Sequence, residues 1–172
     1  MKRHITPTLV EKVMRDGDFI VSMTDLKGII TYGNRIFIEF SGYSEAELLG
    51  TQHNIIRHPD MPRAVFQLLW DKIQKREECF AYVKNMAKDG SFYWVFANVT
   101  PTFDEKGNIT GYLSVRRKQK QTGVQVASAV YAAMLEAEKQ AGPANAIAAS
   151  TKILVDILNE KGLSYDELVL AI

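Results

Sequence analysis

The chain has a single cysteine, Cys79, among 172 residues. That excludes an internal disulfide and any cysteine-cluster metal site, and it suits a reducing compartment. Surplus charge is also missing: 21 basic residues meet 20 acidic ones, so no strong field draws nucleic acid or an anionic membrane. No apolar run approaches the length of a bilayer span. The basic start Met1-Lys2-Arg3-His4 is followed by no apolar segment of the secretory kind. No Ser-His-Asp set, phosphate-binding glycine loop or metal-ligand spacing appears either. The expectation is a cytoplasmic chain that is not an enzyme and does not itself enter a membrane.

What is present is a core. An apolar fraction of 47% is ordinary for a globular protein, and the length allows one domain plus an appendage. Residues 1–17 read as a lead-in, helical over 8–14 with Leu9, Val10 and Val13 on one side. Strands are expected over 18–24 and 29–32, joined by the turn Asp25-Leu26-Lys27-Gly28. From Asn34 the pattern turns helical, with Ile36, Phe37 and Phe40 on one face until Ser41-Gly42 stops it. Ser44-x-x-Glu47 is a capping box for a second short helix. Val65, Phe66, Leu69, Trp70 and Ile73 then follow the spacing of a longer amphipathic helix, which Asp60 or Met61 should cap with Pro62 in its first turn. Strands are expected over 80–86, 91–100 and 109–115. Two strands, a helical block and three strands argue for an α+β domain: a five-stranded antiparallel sheet over 18–118 with short helices on one side. Residues 119–172 are Ala-rich and read as a helical tail, broken at Gly142-Pro143 and Gly162, for docking or oligomerisation.

Between the helices lies the densest polar stretch, Gln52-His53-Asn54-Ile55-Ile56-Arg57-His58-Pro59-Asp60-Met61-Pro62. Two of the five prolines fall here and forbid a continuous helix. A polar loop held on a rigid scaffold is where ligand sites concentrate.

The order of elements, the run Thr24-Asp25-Leu26-Lys27-Gly28-Ile29-Ile30-Thr31-Tyr32-Gly33-Asn34 and the run Phe40-Ser41-Gly42-Tyr43-Ser44-Glu45-Ala46-Glu47-Leu48-Leu49-Gly50 resemble a PAS domain. The string from His53 to Pro62 resembles the Aer-type aerotaxis PAS, which binds FAD. Val83-Lys84-Asn85, Lys88-Asp89-Gly90, Tyr93-Trp94-Val95-x-Ala97-Asn98 and Ile109-x-Gly111-Tyr112-x-Ser114-Val115-Arg116 continue that likeness. The resemblance implies a redox sensor for energy taxis, in a stand-alone, CetB-like form. Its partner would be a separate methyl-accepting chemotaxis-type receptor with HAMP and signalling helices, and homodimerisation is compatible with it.

It also implies roles, each beside a structural alternative. Arg57 and His58 would hold FAD, a fork donor and an imidazole facing its phosphates or adenine. Asp60 would orient Arg57 or touch the cofactor, unless it is a helix cap. Trp70 would stack on the cofactor, unless it is core. Asn34 and Asn85 carry amides suited to the donor and acceptor edge of a flavin ring, and Asn34 suits a helix cap equally. Tyr93 and Trp94 point to opposite sheet faces, so at most one meets the slot. Asn98 belongs to the same group. His53 is read as a capped or solvated loop histidine. Cys79 follows the long helix and so sits wrongly for a light-driven flavin adduct. The rival readings are a ligand-free PAS interaction module, FMN in place of FAD, and a haem gas sensor using His53 or His58.

Overall fold

In the computed structural model, which describes residues 5–172, the first hairpin is β1 (Phe19–Thr24) and β2 (Ile30–Gly33). Asp25 shapes its turn by accepting the N–H groups of Lys27 at 2.8 Å and Ile29 at 2.9 Å. Helices α1 (Arg35–Ser41) and α2 (Glu45–Leu48) follow, then a 3-10 turn (His53–Ile56) and α3 (Arg63–Gln74). Ser44 and Glu47 form the expected capping box. The later strands are β3 (Cys79–Met86), β4 (Phe92–Phe103) and β5 (Ile109–Arg117). All pairings are antiparallel and the spatial order is β2-β1-β5-β4-β3. The five-stranded α+β architecture is the one the sequence predicts.

The period of two sorts the sheet into faces. Ser22, Val83, Asn85, Ala97, Val99, Tyr112, Ser114 and Arg116 face α1 to α3 across a cavity. Phe80, Tyr82, Trp94 and Phe96 point the other way and stack on one another and on the tail. That tail consists of α4 (Gln121–Ala141), α5 (Ala146–Lys161) and α6 (Tyr165–Ala171). It folds back onto its own chain. Tyr131 stacks on Trp94 and donates to the Tyr82 carbonyl at 2.8 Å, and Tyr165 donates to the Phe80 carbonyl at 2.9 Å. Gly123 is required here, because a Cβ would lie 2.2 Å from the Tyr82 ring. Helix α5 packs on α3, so the tail bridges both layers past the β3 edge.

Three local expectations are corrected. Residues 8–14 are not helical: the Thr8 N–H donates to Gly90, the Lys12 N–H to Phe92, and the Phe92 N–H to Val10. Leu9, Val10 and Val13 are all exposed in this extended segment, and its backbone is held by the β3–β4 turn region instead. Residues 1–4 of the lead-in lie outside the described residues. Strand β4 runs on through Pro101 because β3 ends where Cys79 pairs with Val99. One flank of Pro101 is therefore unpaired and its missing N–H costs nothing. Finally, Pro62 itself is the N-cap residue of α3, with no side-chain cap of its own. The carboxylate that caps the helix is Glu138 of α4, accepting from the N–H of Arg63 at 2.6 Å and of Ala64 at 3.4 Å.

Candidate functional site

The cavity lies between the inner sheet face and α3, with a volume of about 250 Å³. Its walls are mostly apolar: Phe66, Leu69, Trp70 and Ile73 from α3 face Val83, Ala97, Val99 and Tyr112 from the sheet. Trp70 meets Tyr112 edge to face, centroids 5.4 Å apart and planes at 88°. Gly28 closes over the indole: its φ is +78°, and a Cβ would lie 3.2 Å from Trp70 Cζ2.

Polar groups gather at the other end. Arg116 is 2% exposed, and its Nη2 donates to Ser22 Oγ while its guanidinium sits 4.7 Å from the Phe37 ring centroid. No acidic side chain faces it among its described contacts. Its Nε and Nη1, like Asn85 Nδ2, are buried and find no hydrogen-bond partner among the described residues. Unpaired buried donors are rare because each costs the desolvation of the group. Burial lowers the Arg116 pKa to about 10, so the group stays charged near neutrality. His53 completes the cluster, with Nε2 at 2.9 Å from Ser22 Oγ and its ring stacked on Phe37. Burial first and then the Arg116 charge push its pKa down to about 3. Since Ser22 Oγ accepts from Arg116, its own proton goes to Nε2 of a neutral His53. A chain Arg116 to Ser22 to His53 thus joins β5, β1 and the 3-10 turn.

The predicted residues divide. Trp70 and Asn85 line the cavity, and Arg57 stands at its mouth. The Arg57 Nη2 donates to the Met61 carbonyl at 3.1 Å, and the guanidinium lies 4.5 Å over the Phe66 ring. The Arg57 backbone bridges to Asn85 of β3. His58 is buried in the loop but faces a neighbouring groove instead of the inner cavity. Its Nδ1 accepts the Asp60 N–H at 3.0 Å, and burial followed by the Lys84 charge lowers its pKa. Asp60 points outward and pairs with Lys84 at 2.6 Å, neither capping α3 nor contacting Arg57. Asn34 is consumed as a cap: Oδ1 accepts from Phe37 and Val21, and Nδ2 donates to the Phe19 carbonyl. Tyr93 is fully buried on the inner face, edge to face with Phe40, but does not reach the cavity wall. Asn98 lies on the outer face and donates to Glu78 at 3.0 Å. Being five residues from Tyr93, it could not share the inner face with it.

His53 is the correction in the other direction, a cavity residue instead of a solvated one. Arg116 and Ser22 were missed outright. The signal was available for Arg116, since Tyr112, Ser114 and Arg116 alternate along one strand face. Cys79 is buried, with its thiol pushed up to about 12 by burial, and does not line the cavity. Among the described residues no helix is long and apolar enough to cross a membrane.

Comparison with known proteins accords with this geometry. The sequence model of the PAS fold matches residues 30–116. The aerotaxis receptor of Escherichia coli (strain K12) is 38% identical over 134 residues, 78% of this chain and 26% of that receptor. The nitrogen fixation regulatory protein of Klebsiella pneumoniae is 30% identical over 111 residues, 64% of this chain and 22% of the regulator. This chain therefore spans about a quarter of the length of those two relatives. Among solved structures, the light state of the blue-light photoreceptor Aureochrome1 LOV superimposes with a TM-score of 0.55 at 27% identity, over 65% of this chain and 88% of that one. A light-oxygen-voltage domain studied with a flavin analogue gives 0.56 at 23% identity, over 63% and 81%.

Proposed function

The chain belongs to the PAS-fold family, and from that premise we propose that it is a flavin-binding redox sensor whose cofactor is FAD. The observation that carries the reading is the cavity: apolar walls from α3 and the sheet together with buried, unpartnered donors of Arg116 and Asn85. A planar ring with an apolar body and an acceptor-rich edge has that chemistry. The donor set fits a flavin, and it offers no acidic partner that would make Arg116 self-sufficient. When bound, the flavin supplies reversible electron uptake with added charge or protons at its polar edge.

The residues answer that change in a definite way. Trp70 and Tyr112 orient the ring and exclude water, which strengthens every electrostatic contact inside. Asn85 would donate to the acceptor edge, and Arg116 would favour whatever state of that edge is more negative. Because Arg116 is tied through Ser22 to His53, a shift of its guanidinium is felt in β1 and the 3-10 turn together. Asn85 passes a change to Arg57 through their backbone bridge. Sheet and loop then form the element biased by redox state. The recipient is a set of HAMP and signalling helices of the chemoreceptor type, with this domain acting as the sensor in energy taxis.

The test is the absorption spectrum of the purified protein, followed by release and chromatography of the chromophore. A two-banded yellow spectrum that runs as FAD and bleaches under dithionite is expected. A colourless protein that cannot be reconstituted with any flavin would overturn the reading, and a sharp Soret band would replace it with haem ligation at His53.

A further inference from the structure

The inner cavity has a larger neighbour that shares two of its lining residues. A groove of about 900 Å³ lies between the loop 57–63 and the junction of α4 with α5, and Asn54 and Arg57 line both compartments. The inner volume of about 250 Å³ falls just below the roughly 300–1,000 Å³ that whole ligands occupy. It suits a ring system, and the rest of a dinucleotide has to leave through the mouth at Arg57. We propose that the helical tail completes the cofactor site, its α4–α5 junction forming the far wall of a compartment for the diphosphate and adenosine of the flavin dinucleotide. This rests on the flavin reading above.

Charge supports it. Arg57 and Arg63 line the groove from the loop side and Lys139 lines it from α4. Arg57 spends one of five N–H groups on Met61, leaving most of the fork for a phosphate. The one carboxylate lining the groove among the described residues, Glu138, is already engaged, accepting from two N–H groups of the α3 N-terminus and from Ser150 Oγ at 2.7 Å. Neutral His58, whose Nδ1 is taken by the Asp60 N–H, keeps its Nε2–H as a donor. Met86, Leu135 and Pro143 offer apolar surface for a purine face.

The experiment titrates the full chain, stripped of flavin, with FAD, FMN and riboflavin, following flavin fluorescence. The variants are Arg63→Glu and Lys139→Glu, both exposed residues whose substitution leaves the core intact. FAD should bind at least tenfold more tightly than riboflavin, and each charge reversal should cost FAD about tenfold in Kd while riboflavin affinity stays put. Equal affinity for FAD and riboflavin in the parent, unmoved by either variant, overturns the tail compartment and leaves the flavin reading standing. Failure of all three flavins to bind removes the flavin reading itself, and this inference with it.

Discussion

Replacing Arg116 by methionine separates a ligand-binding charge from a structural one. Methionine keeps most of the length and packing but removes the guanidinium. In the ligand-free protein, burying that cation costs several kcal/mol. Against this stand one hydrogen bond to Ser22, about 1.5–3 kcal/mol for a charged donor, and the Phe37 ring contact, about 2 kcal/mol when desolvated. The terms nearly cancel. Stability without flavin should therefore change by no more than about 1 kcal/mol, roughly 2–4 °C in Tm for a chain of this size. Flavin affinity should behave differently. Losing a charge-assisted bond of about 1.5–3 kcal/mol weakens Kd about 10- to 150-fold. Thermal unfolding of the stripped protein and a fluorescence titration give the two numbers, and Arg116→Lys, which keeps the charge but not the fork, should fall between. A variant that loses more than about 10 °C without flavin yet binds flavin normally would refute the reasoning, because Arg116 would then be a structural residue.

Other outcomes follow from the same geometry. Asn85→Leu should weaken flavin binding about tenfold, from the loss of one buried hydrogen bond, and should not lower the Tm of the stripped protein, since Nδ2 has no protein partner to lose. Glu138→Ala removes the only side-chain cap of α3 among the described residues, a loss of about 0.5–2 kcal/mol; calorimetry should register it, with Glu138→Gln recovering part. His53 has a folded pKa of about 3 against about 6.5 unfolded, so the unfolded chain takes up its proton first as the pH falls. The stabilisation is complete above about pH 6.5 and is lost below it, about 2 kcal/mol between pH 7 and pH 5, and His53→Gln should flatten that slope in urea titrations. Gly123→Val should undock α4 from Tyr82 without emptying the cavity, seen as faster amide exchange across 121–141 at unchanged flavin content.

The sheet was legible because alternation and turn residues are local. Asp25, the Ser44–Glu47 box and the strands over 80–86 and 109–115 each carry their own signal within a few residues. The cap of α3 was not, since Glu138 arrives from 75 residues downstream and nothing in Asp60 or Pro62 announces it. The lead-in failed for the same reason: its apparent helical face pairs through its backbone with Phe92 and Gly90, partners its own sequence cannot name. Of the candidate site, Arg57, Trp70 and Asn85 do border the cavity, and it was the family resemblance that singled them out, since apolar spacing alone reads Trp70 as core. Asn34 and Asp60 went elsewhere because a short polar side chain is as good a cap or ion-pair partner as a ligand. Asn98 could have been set aside by counting from Tyr93. The same count along β5 would have found Arg116.

The two tryptophans stand on opposite sides of the sheet. Trp70 borders the inner cavity, while Trp94 lies flat against Tyr131 under α4, their planes at 22°. Each is thus a native optical probe of a different event, and single Trp→Phe replacements make them separable. A bound chromophore would quench Trp70 by direct contact and dim Trp94 more weakly by energy transfer through the sheet, whereas the emission colour of Trp94 would shift when the helical tail moved. Following both lamps during reduction would show, without any label, whether the tail responds when the cavity does and which of the two moves first.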